Sequence, residues 1–229
     1  MEATLTILGM PLDEEAQLHP DVAEALQKAS VVIGESRKVT LRYLKRAGAE
    51  AKKEVFFLDP FRKGEWALLK EALTQLKARR ENAVLFSDVG LPILFDPGRE
   101  VLELCRKMGI YVRSVPGPTS WGTACSLSGF LPPFHIVGFL PKERPLRTRC
   151  LNLLRPIKAN LVLMDTPYRF LQLLTELRTC FGQHQGFLAW EISKKDEQFF
   201  WGTIDHIGKE VENRGLHKGE FVVVIKNEK

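Results

Sequence analysis

The sequence lacks the close groups of cysteine and histidine that metal sites and redox motifs require. Its four cysteines and five histidines are scattered along the chain, and no two cysteines are spaced as C-x-x-C. We therefore expect the cysteines to be buried thiols and predict no metal site.

Long apolar runs are absent as well. No segment approaches the roughly 20 consecutive apolar residues that a transmembrane helix needs. Residues 1–11 carry neither the basic start nor the small-residue cleavage site of a signal peptide. We expect a cytoplasmic protein with no membrane anchor. The 229 residues, 45% of them hydrophobic, can form the core of one large or two modest domains.

A strong excess of one charge is also missing. The net charge is +5, and the excess lies in residues 116–229, which hold 15 basic and 11 acidic residues. This balance permits a polyanionic partner without identifying one. The run Lys142–Arg149 and the pair Lys194-Lys195 are candidate phosphate contacts, because lysine and arginine neutralise backbone charge. A solvated surface is the plainer interpretation of both.

Short β-rich runs alternate with amphipathic helical segments. In residues 1–115 this alternation predicts a mostly parallel sheet with flanking helices. In residues 116–229 several strands follow one another, which favours a second α/β domain with a mixed or antiparallel sheet. The predicted strands are Thr4–Leu8, Val31–Ile33, Val55–Leu58, Ala83–Phe86, Tyr111–Val115, Phe134–Phe139, Leu161–Met164, Gly186–Ile192, Gln198–Thr203 and Phe221–Ile225.

Three segments carry helix-start signals. Ser36 is a candidate N-cap for the helix with Leu44, and Asp96 for the helix with Val101. Thr166 precedes Pro167, which suits the first position of a helix. We predict that these three side chains accept hydrogen bonds from the first helical N–H groups.

Polar residues also follow several predicted strands. The chain has no G-x-G-x-x-G fingerprint and no G-x-x-x-x-G-K-[ST] loop, which argues against a standard dinucleotide or P-loop site. Ligands of open α/β sheets bind beyond the carboxyl ends of the strands, so these residues could line one cleft. They are Glu35 and Arg37, Asp88, Thr119 and Ser120, and Asp165 and Thr166.

An ordered set of loop motifs adds a resemblance. The set is Ser87–Pro92 with Asp96-Pro97-Gly98, then Val115–Thr119, then Gly138–Pro141. It resembles the tetrapyrrole methylase superfamily, and within it the branch of the ribosomal small-subunit RNA cytidine 2′-O-methyltransferase. Later segments agree with that branch: Asp165–Arg169 parallels E-S-P-H-R, Glu191–Lys194 parallels E-L-T-K, and Lys218–Glu220 matches K-G-E.

The resemblance implies a two-domain α/β homodimer that binds S-adenosylmethionine in the cleft between its domains, without a Rossmann glycine signature. The glycine of the Ser87–Pro92 loop would let backbone approach the cofactor closely. Carried onto matching positions, the implied cofactor-binding residues are Pro11, Asp88, Val89, Gly90, Leu91, Thr119, Ser120, Met164, Asp165 and Thr166.

The leading functional hypothesis is ribose 2′-O-methylation of small-subunit ribosomal RNA. A ribose hydroxyl is a poor nucleophile at neutral pH, so a general base is expected, and Glu35 and Lys194 are the candidates. Expected substrate contacts are Arg37, Arg144, Arg147, Tyr168, Arg169 and Lys195.

The substrate loops depart from that branch. Its T-P-I-G-N-L is Met10-Pro11-Leu12-Asp13-Glu14 here, and Trp190 stands where the branch has arginine. Two alternatives therefore remain, a tetrapyrrole or corrin methyltransferase and a catalytically silent cofactor-binding paralogue.

Overall fold

The computed structural model describes residues 2–50, 53–59 and 64–227. The chain divides into two compact units, Met1–Thr119 and Ser120–Lys229. Within the described ranges, no helix combines the length and the apolar content that crossing a bilayer requires.

The first unit alternates strands with helices. Its strands all pair in parallel, in the order β3-β2-β4-β1-β5, and one apolar cluster covers each face of the sheet. The elements are β1 (Thr4–Leu8), α1 (Pro20–Lys28), β2 (Val31–Ser36), α2 (Arg37–Arg46), β3 (Glu54–Asp59), α3 (Glu65–Arg79), β4 (Asn82–Leu85), α4 (Arg99–Lys107) and β5 (Tyr111–Val115). The predicted parallel sheet is confirmed.

The second unit holds a mixed sheet in the order β6-β7-β10-β8-β9. Only β6 and β7 pair in parallel, and the remaining pairs are antiparallel, which confirms the mixed α/β expectation. The elements are α5 (Ser120–Ser128), β6 (Phe134–Phe139), α6 (Arg144–Leu154), β7 (Asn160–Met164), a 3-10 turn (Pro167–Arg169), α7 (Phe170–Phe181), β8 (Gln185–Trp190), β9 (Gln198–Thr203), α8 (Ile204–Asn213) and β10 (Phe221–Ile225).

Strand direction determines which loops share an edge. In the first unit the carboxyl ends of β1, β2, β4 and β5 meet at one edge, because all the strands are parallel. In the second unit β7 and β8 are both antiparallel to β10 and therefore run the same way. The residues after β7 and β8 thus lie at one edge, and those before these strands lie at the opposite edge.

The helix starts differ in part from the sequence-based predictions. Ser36 caps α2 as predicted, since its hydroxyl accepts from the Val39 N–H at 3.5 Å. The prediction for Asp96 is wrong, because Gly98 occupies the N-cap of α4. Burial raises the pKa of the Asp96 carboxyl group, and a hydrogen bond from Ser87 offsets part of that rise. Thr166 precedes the 3-10 turn without a capping hydrogen bond from its side chain.

Two backbone segments of the first unit touch at Gly9 and Gly117. A Cβ atom on Gly9 would lie 2.3 Å from the Gly117 nitrogen, and one on Gly117 would lie 2.5 Å from the Gly9 Cα. The Gly9 N–H also donates to the Val115 carbonyl at 2.9 Å. The end of β1 and the loop after β5 can be this close only because both positions lack a side chain.

We predict that Gly117→Ala lowers the free energy of unfolding by about 1–3 kcal/mol, the usual cost of overpacking. Urea denaturation measures the change, and Ser114→Ala, at an exposed position of β5, is the control. A Gly117→Ala midpoint equal to that of the wild type would show that the two segments separate without cost.

Candidate active site

Asp88, in the loop after β4, is fixed to the end of β2 by a reciprocal pair of hydrogen bonds. Its backbone N–H donates to Glu35 Oε2 at 2.9 Å, and its Oδ1 accepts from the Ser36 N–H at 3.0 Å. Parallel pairing of β2 with β4 places the two segments side by side. The Oδ2 atom of Asp88 has no partner among the residues that the structure describes, so it can accept from a ligand.

Tyr43, a buried residue of α2, also fixes the Asp88 loop. This side chain of α2 is fully buried, and its hydroxyl donates to the Asp88 carbonyl at 2.9 Å. Burial raises the pKa of Tyr43, with a smaller contribution from Glu14, so the hydroxyl stays protonated and remains a donor. Sequence analysis gave Tyr43 no role, although a tyrosine on the buried face of a helix needs a partner for its hydroxyl.

The turn at Gly90 brings further predicted cofactor residues together. The Met10 N–H donates to the Gly90 carbonyl at 2.7 Å, and the Gly90 N–H donates to the Pro11 carbonyl at 3.3 Å. Gly90 has φ +68°, which favours glycine, and its added Cβ would lie 3.5 Å from the Pro118 carbonyl oxygen. The loops after β1, β4 and β5 therefore meet at residues 10–11, 88–91 and 117–119.

Arg37 lies beside this group of loops. It begins α2, directly after Ser36, and its side chain is exposed. Its guanidinium carbon is 5.2 Å from the centroid of the Phe57 ring. The structure thus holds one predicted substrate contact over an aromatic face next to the Asp88 loop.

In the second unit, the predicted cofactor residues gather where β7 ends. The Ser120 hydroxyl lies 3.8 Å from Met164 Sδ, within hydrogen-bonding distance for sulfur. Asp165 is 2% exposed. Its Oδ1 accepts from the Thr166 N–H at 2.8 Å and pairs with Arg169 Nη2 at 2.7 Å. Asp165 is therefore engaged by protein groups, whereas Thr166 is exposed.

Arg147, predicted to contact phosphate, is instead a fully buried structural residue. Its Nη1 donates to Asp165 Oδ2 at 3.0 Å and to the Pro141 carbonyl at 3.2 Å, and its Nη2 donates to Glu176 at 2.7 Å. A guanidinium held in this way does not reach RNA. The sequence showed the charge of the 142–149 run, but not that α6 turns this residue inward. Arg144, in the same run, is exposed.

The loop after β8 is strained around Glu191 and Lys194. Glu191 has φ +50° and Ser193 has φ +66°, values that are uncommon for non-glycine residues and that occur in turns and at functional sites. Glu191 Oε1 accepts from the Glu220 N–H at 2.7 Å, and its Oε2 pairs with Lys194 Nζ at 2.6 Å. Glu191 thus holds the ammonium group of Lys194 in place. The neighbouring Lys195 is exposed.

Trp190 explains one departure of the sequence from the branch that it resembles. The side chain is 4% exposed, and its ring lies 4.7 Å from that of Phe170. A Cβ on Gly219 would lie 2.4 Å from Cζ2 of Trp190. The tryptophan therefore packs beneath the Lys218–Glu220 turn, which requires glycine at its centre.

Tyr168 and Arg169 lie at the same edge of the sheet as Lys194. Tyr168 is 81% exposed, and Lys218 Nζ is 3.9 Å from its ring centroid. A hydrogen bond with Lys218 lowers the pKa of Tyr168. The Nη1 atom of Arg169 is buried with no hydrogen-bond partner in the described ranges. This edge therefore offers an aromatic face and a cation, and beside them lies a buried guanidinium nitrogen with no partner among the described residues.

Sequence similarity to curated relatives covers nearly the whole chain. Ribosomal RNA small subunit methyltransferase I of Thermotoga maritima is 28% identical over 222 residues, covering 96% of this chain and 97% of the relative. The protein of the same name from a Synechocystis species is 31% identical over 224 residues, covering 96% of this chain and 78% of the relative. These relatives agree with the branch that the loop motifs resemble.

Solved structures share the fold. A cobalt precorrin-4 methyltransferase of cobalamin biosynthesis has a TM-score of 0.66 at 15% identity, covering 97% of this chain and 94% of its own. Uroporphyrin-III C-methyltransferase from Thermus thermophilus, in complex with S-adenosylhomocysteine, has a TM-score of 0.59 at 18% identity, covering 98% and 97%. At these identities the likeness concerns the fold alone.

The family model described as tetrapyrrole (corrin/porphyrin) methylases matches residues 4–208. That span contains the loops after β1, β4, β5, β7 and β8. The resemblance inferred from the loop motifs is confirmed, and the chain belongs to the tetrapyrrole (corrin/porphyrin) methylase family.

Proposed function

We propose that this protein is an S-adenosylmethionine-dependent methyltransferase that methylates a ribose 2′-hydroxyl of small-subunit ribosomal RNA. The observation that carries the proposal is its nearly end-to-end similarity to relatives curated as ribosomal RNA small subunit methyltransferase I. As the resemblance implies, we further propose a cytoplasmic homodimer. Sedimentation equilibrium of the purified chain tests the dimer.

The Asp88 loop fits the cofactor chemically. When bound, S-adenosylmethionine supplies a methyl group carried on a positively charged sulfur. Asp88 Oδ2 can accept a hydrogen bond from a hydroxyl or an ammonium group. The exposed Val89 and the side-chain-free Gly90 allow a ligand to approach the backbone. The other proposed cofactor contacts are Pro11, Leu91, Thr119, Ser120, Met164 and Thr166, whereas the buried carboxylate of Asp165, engaged by Arg147, Thr166 and Arg169, holds this segment in place.

For the reacting hydroxyl we propose Lys194 as the catalytic residue. Its ammonium group can stabilise the negative charge that develops on the ribose oxygen as the hydroxyl releases its proton to solvent water. Glu191, 2.6 Å away, keeps the group in position. Glu35, the other candidate from the sequence, has its Oε2 engaged by the Asp88 N–H. We propose that Glu35 positions the cofactor loop.

The remaining predicted substrate residues suit an RNA strand. Tyr168 presents a face on which a base can stack, and we propose that the part of the Arg169 side chain that is exposed, 22% of its surface, contacts the RNA backbone. Proposed phosphate contacts from exposed cations are Arg37, Arg144 and Lys195.

The first test is transfer of label from methyl-labelled S-adenosylmethionine to undermethylated small ribosomal subunits. We expect label in the RNA at an alkali-resistant dinucleotide, because a 2′-O-methyl group blocks hydrolysis of the neighbouring phosphodiester. Label in a tetrapyrrole precursor instead would support a small-molecule methyltransferase. Cofactor binding without transfer to either acceptor would indicate a silent paralogue.

We predict that Asp88→Asn weakens binding of S-adenosylmethionine by about tenfold, which corresponds to about 1.4 kcal/mol. The amide can still accept from the Ser36 N–H, so the loop keeps its shape while the charged acceptor is lost. Isothermal titration calorimetry measures the affinity, and Asp21→Asn on the exposed side of α1 is the control. Equal affinities for wild type and Asp88→Asn would contradict the placement of the cofactor.

We predict that Lys194→Met lowers kcat by about 100-fold or more, the range of a positioned acid–base or charge-stabilising group. Cofactor affinity should be unchanged, because Lys194 acts on the acceptor hydroxyl. Single-turnover kinetics with labelled cofactor measures the loss, and Lys209→Met on α8, exposed, is the control. Full activity of Lys194→Met would exclude this role.

A further inference from the structure

We propose that a basic cavity in the second unit, at the edge of the sheet opposite Lys194, binds phosphate groups of the RNA substrate. The identity of the polyanion rests on the proposed function. The cavity measures about 300 Å³ and is lined by Arg155, Pro156, Ile157, Lys158, His184 and Asn227.

Topology separates this cavity from the residues proposed for catalysis. Residues 155–158 precede β7, and His184 precedes β8, whereas Asp165 and Lys194 follow these strands. A five-residue strand such as β7 is about 17 Å long. The cavity is thus a second site, roughly one strand length from the acceptor residues.

Among the described residues, the charge of the cavity lacks compensation. Those that line it include one arginine, one lysine and one histidine, and no carboxylate. Among the described residues, neither Arg155 nor Lys158 forms an ion pair, whereas Arg147, Arg169 and Lys194 each pair with a carboxylate. Two unpaired cations beside a concave surface favour an anionic ligand.

Asn227 holds the last carbonyl group of α6 and the segment after it. Its Nδ2 lies 3.3 Å from the Leu154 carbonyl oxygen, 3.4 Å from that of Arg155 and 2.6 Å from that of Ile157. The amide also fixes the segment that carries Arg155 and Lys158. The backbone at the rim of the cavity is therefore fixed, and its cationic side chains remain available to a ligand.

The shape of the cavity fits a sugar-phosphate better than a bare ion. A volume of about 300 Å³ is at the small end of ligand sites and exceeds what one phosphate fills. Pro156 and Ile157 add an apolar wall against which a ribose can pack, while Arg155 and Lys158 contact the phosphate oxygens. A backbone segment of RNA meets both requirements.

The test compares Arg155→Ala/Lys158→Ala with the wild type in binding a small-subunit RNA fragment over a series of salt concentrations. The slope of log affinity against log salt should fall in magnitude by about 0.7 for each cation removed from a single-stranded contact. The KM for RNA should rise, while kcat at saturating RNA and the affinity for S-adenosylmethionine stay unchanged. Lys70→Ala/Lys107→Ala, which removes two exposed cations of the first unit, is the matched control.

A second variant distinguishes an effect of lost charge from an effect of disturbed folding. Arg155→Lys/Lys158→Arg keeps both charges and should restore the wild-type slope. If the alanine variant binds RNA with the wild-type slope, the inference is overturned. It is also overturned if the variant loses affinity for inorganic phosphate while its affinity for RNA stays at the wild-type value. If the wild type shows no salt-dependent RNA binding, the proposed function itself fails.

Discussion

Parallel pairing of β2 with β4 is the constraint on which the first unit's candidate site depends. It brings Glu35 and Asp88, 53 positions apart in the sequence, within hydrogen-bonding distance. A buried backbone N–H needs an acceptor, and a carboxylate is a strong one. Each residue supplies what the other segment lacks, since Asp88 in turn accepts from the Ser36 N–H. The loop conformation therefore follows from the sheet and not from the loop sequence alone.

In the second unit, a buried ion network fixes the candidate site residues in place. Taking an arginine and a carboxylate out of water costs several kcal/mol for each ion, so such a group persists only when its hydrogen bonds are satisfied. Arg147 meets this condition by contacting Pro141, Asp165 and Glu176. It thereby joins the loop after β6, the end of β7 and helix α7. The position of Asp165 and Thr166 depends on these contacts.

Much of the fold could be predicted from the sequence, because short apolar, β-branched runs carry their own signal. Every strand predicted from such a run is present. Helix α5 had no signal, since Ser120–Ser128 contains glycine and small polar residues without an apolar stripe, and it is held by packing on β7, β8 and β10. The motif loops were recognisable from residue types. The partners that hold them, such as Tyr43, are supplied by tertiary contacts and could not be predicted locally.

The two edges of the second unit's sheet differ in whether their cations pair with carboxylates. At one edge Lys194 and Arg169 each have a carboxylate partner that fixes the position of the cation. Such precision suits a reacting centre, where a small misplacement costs much of the rate. At the opposite edge Arg155 and Lys158 have no such partner among the described residues, and long-range attraction to a polyanion needs charge more than position. Pairing thus distinguishes cations that must be placed from those that need only attract.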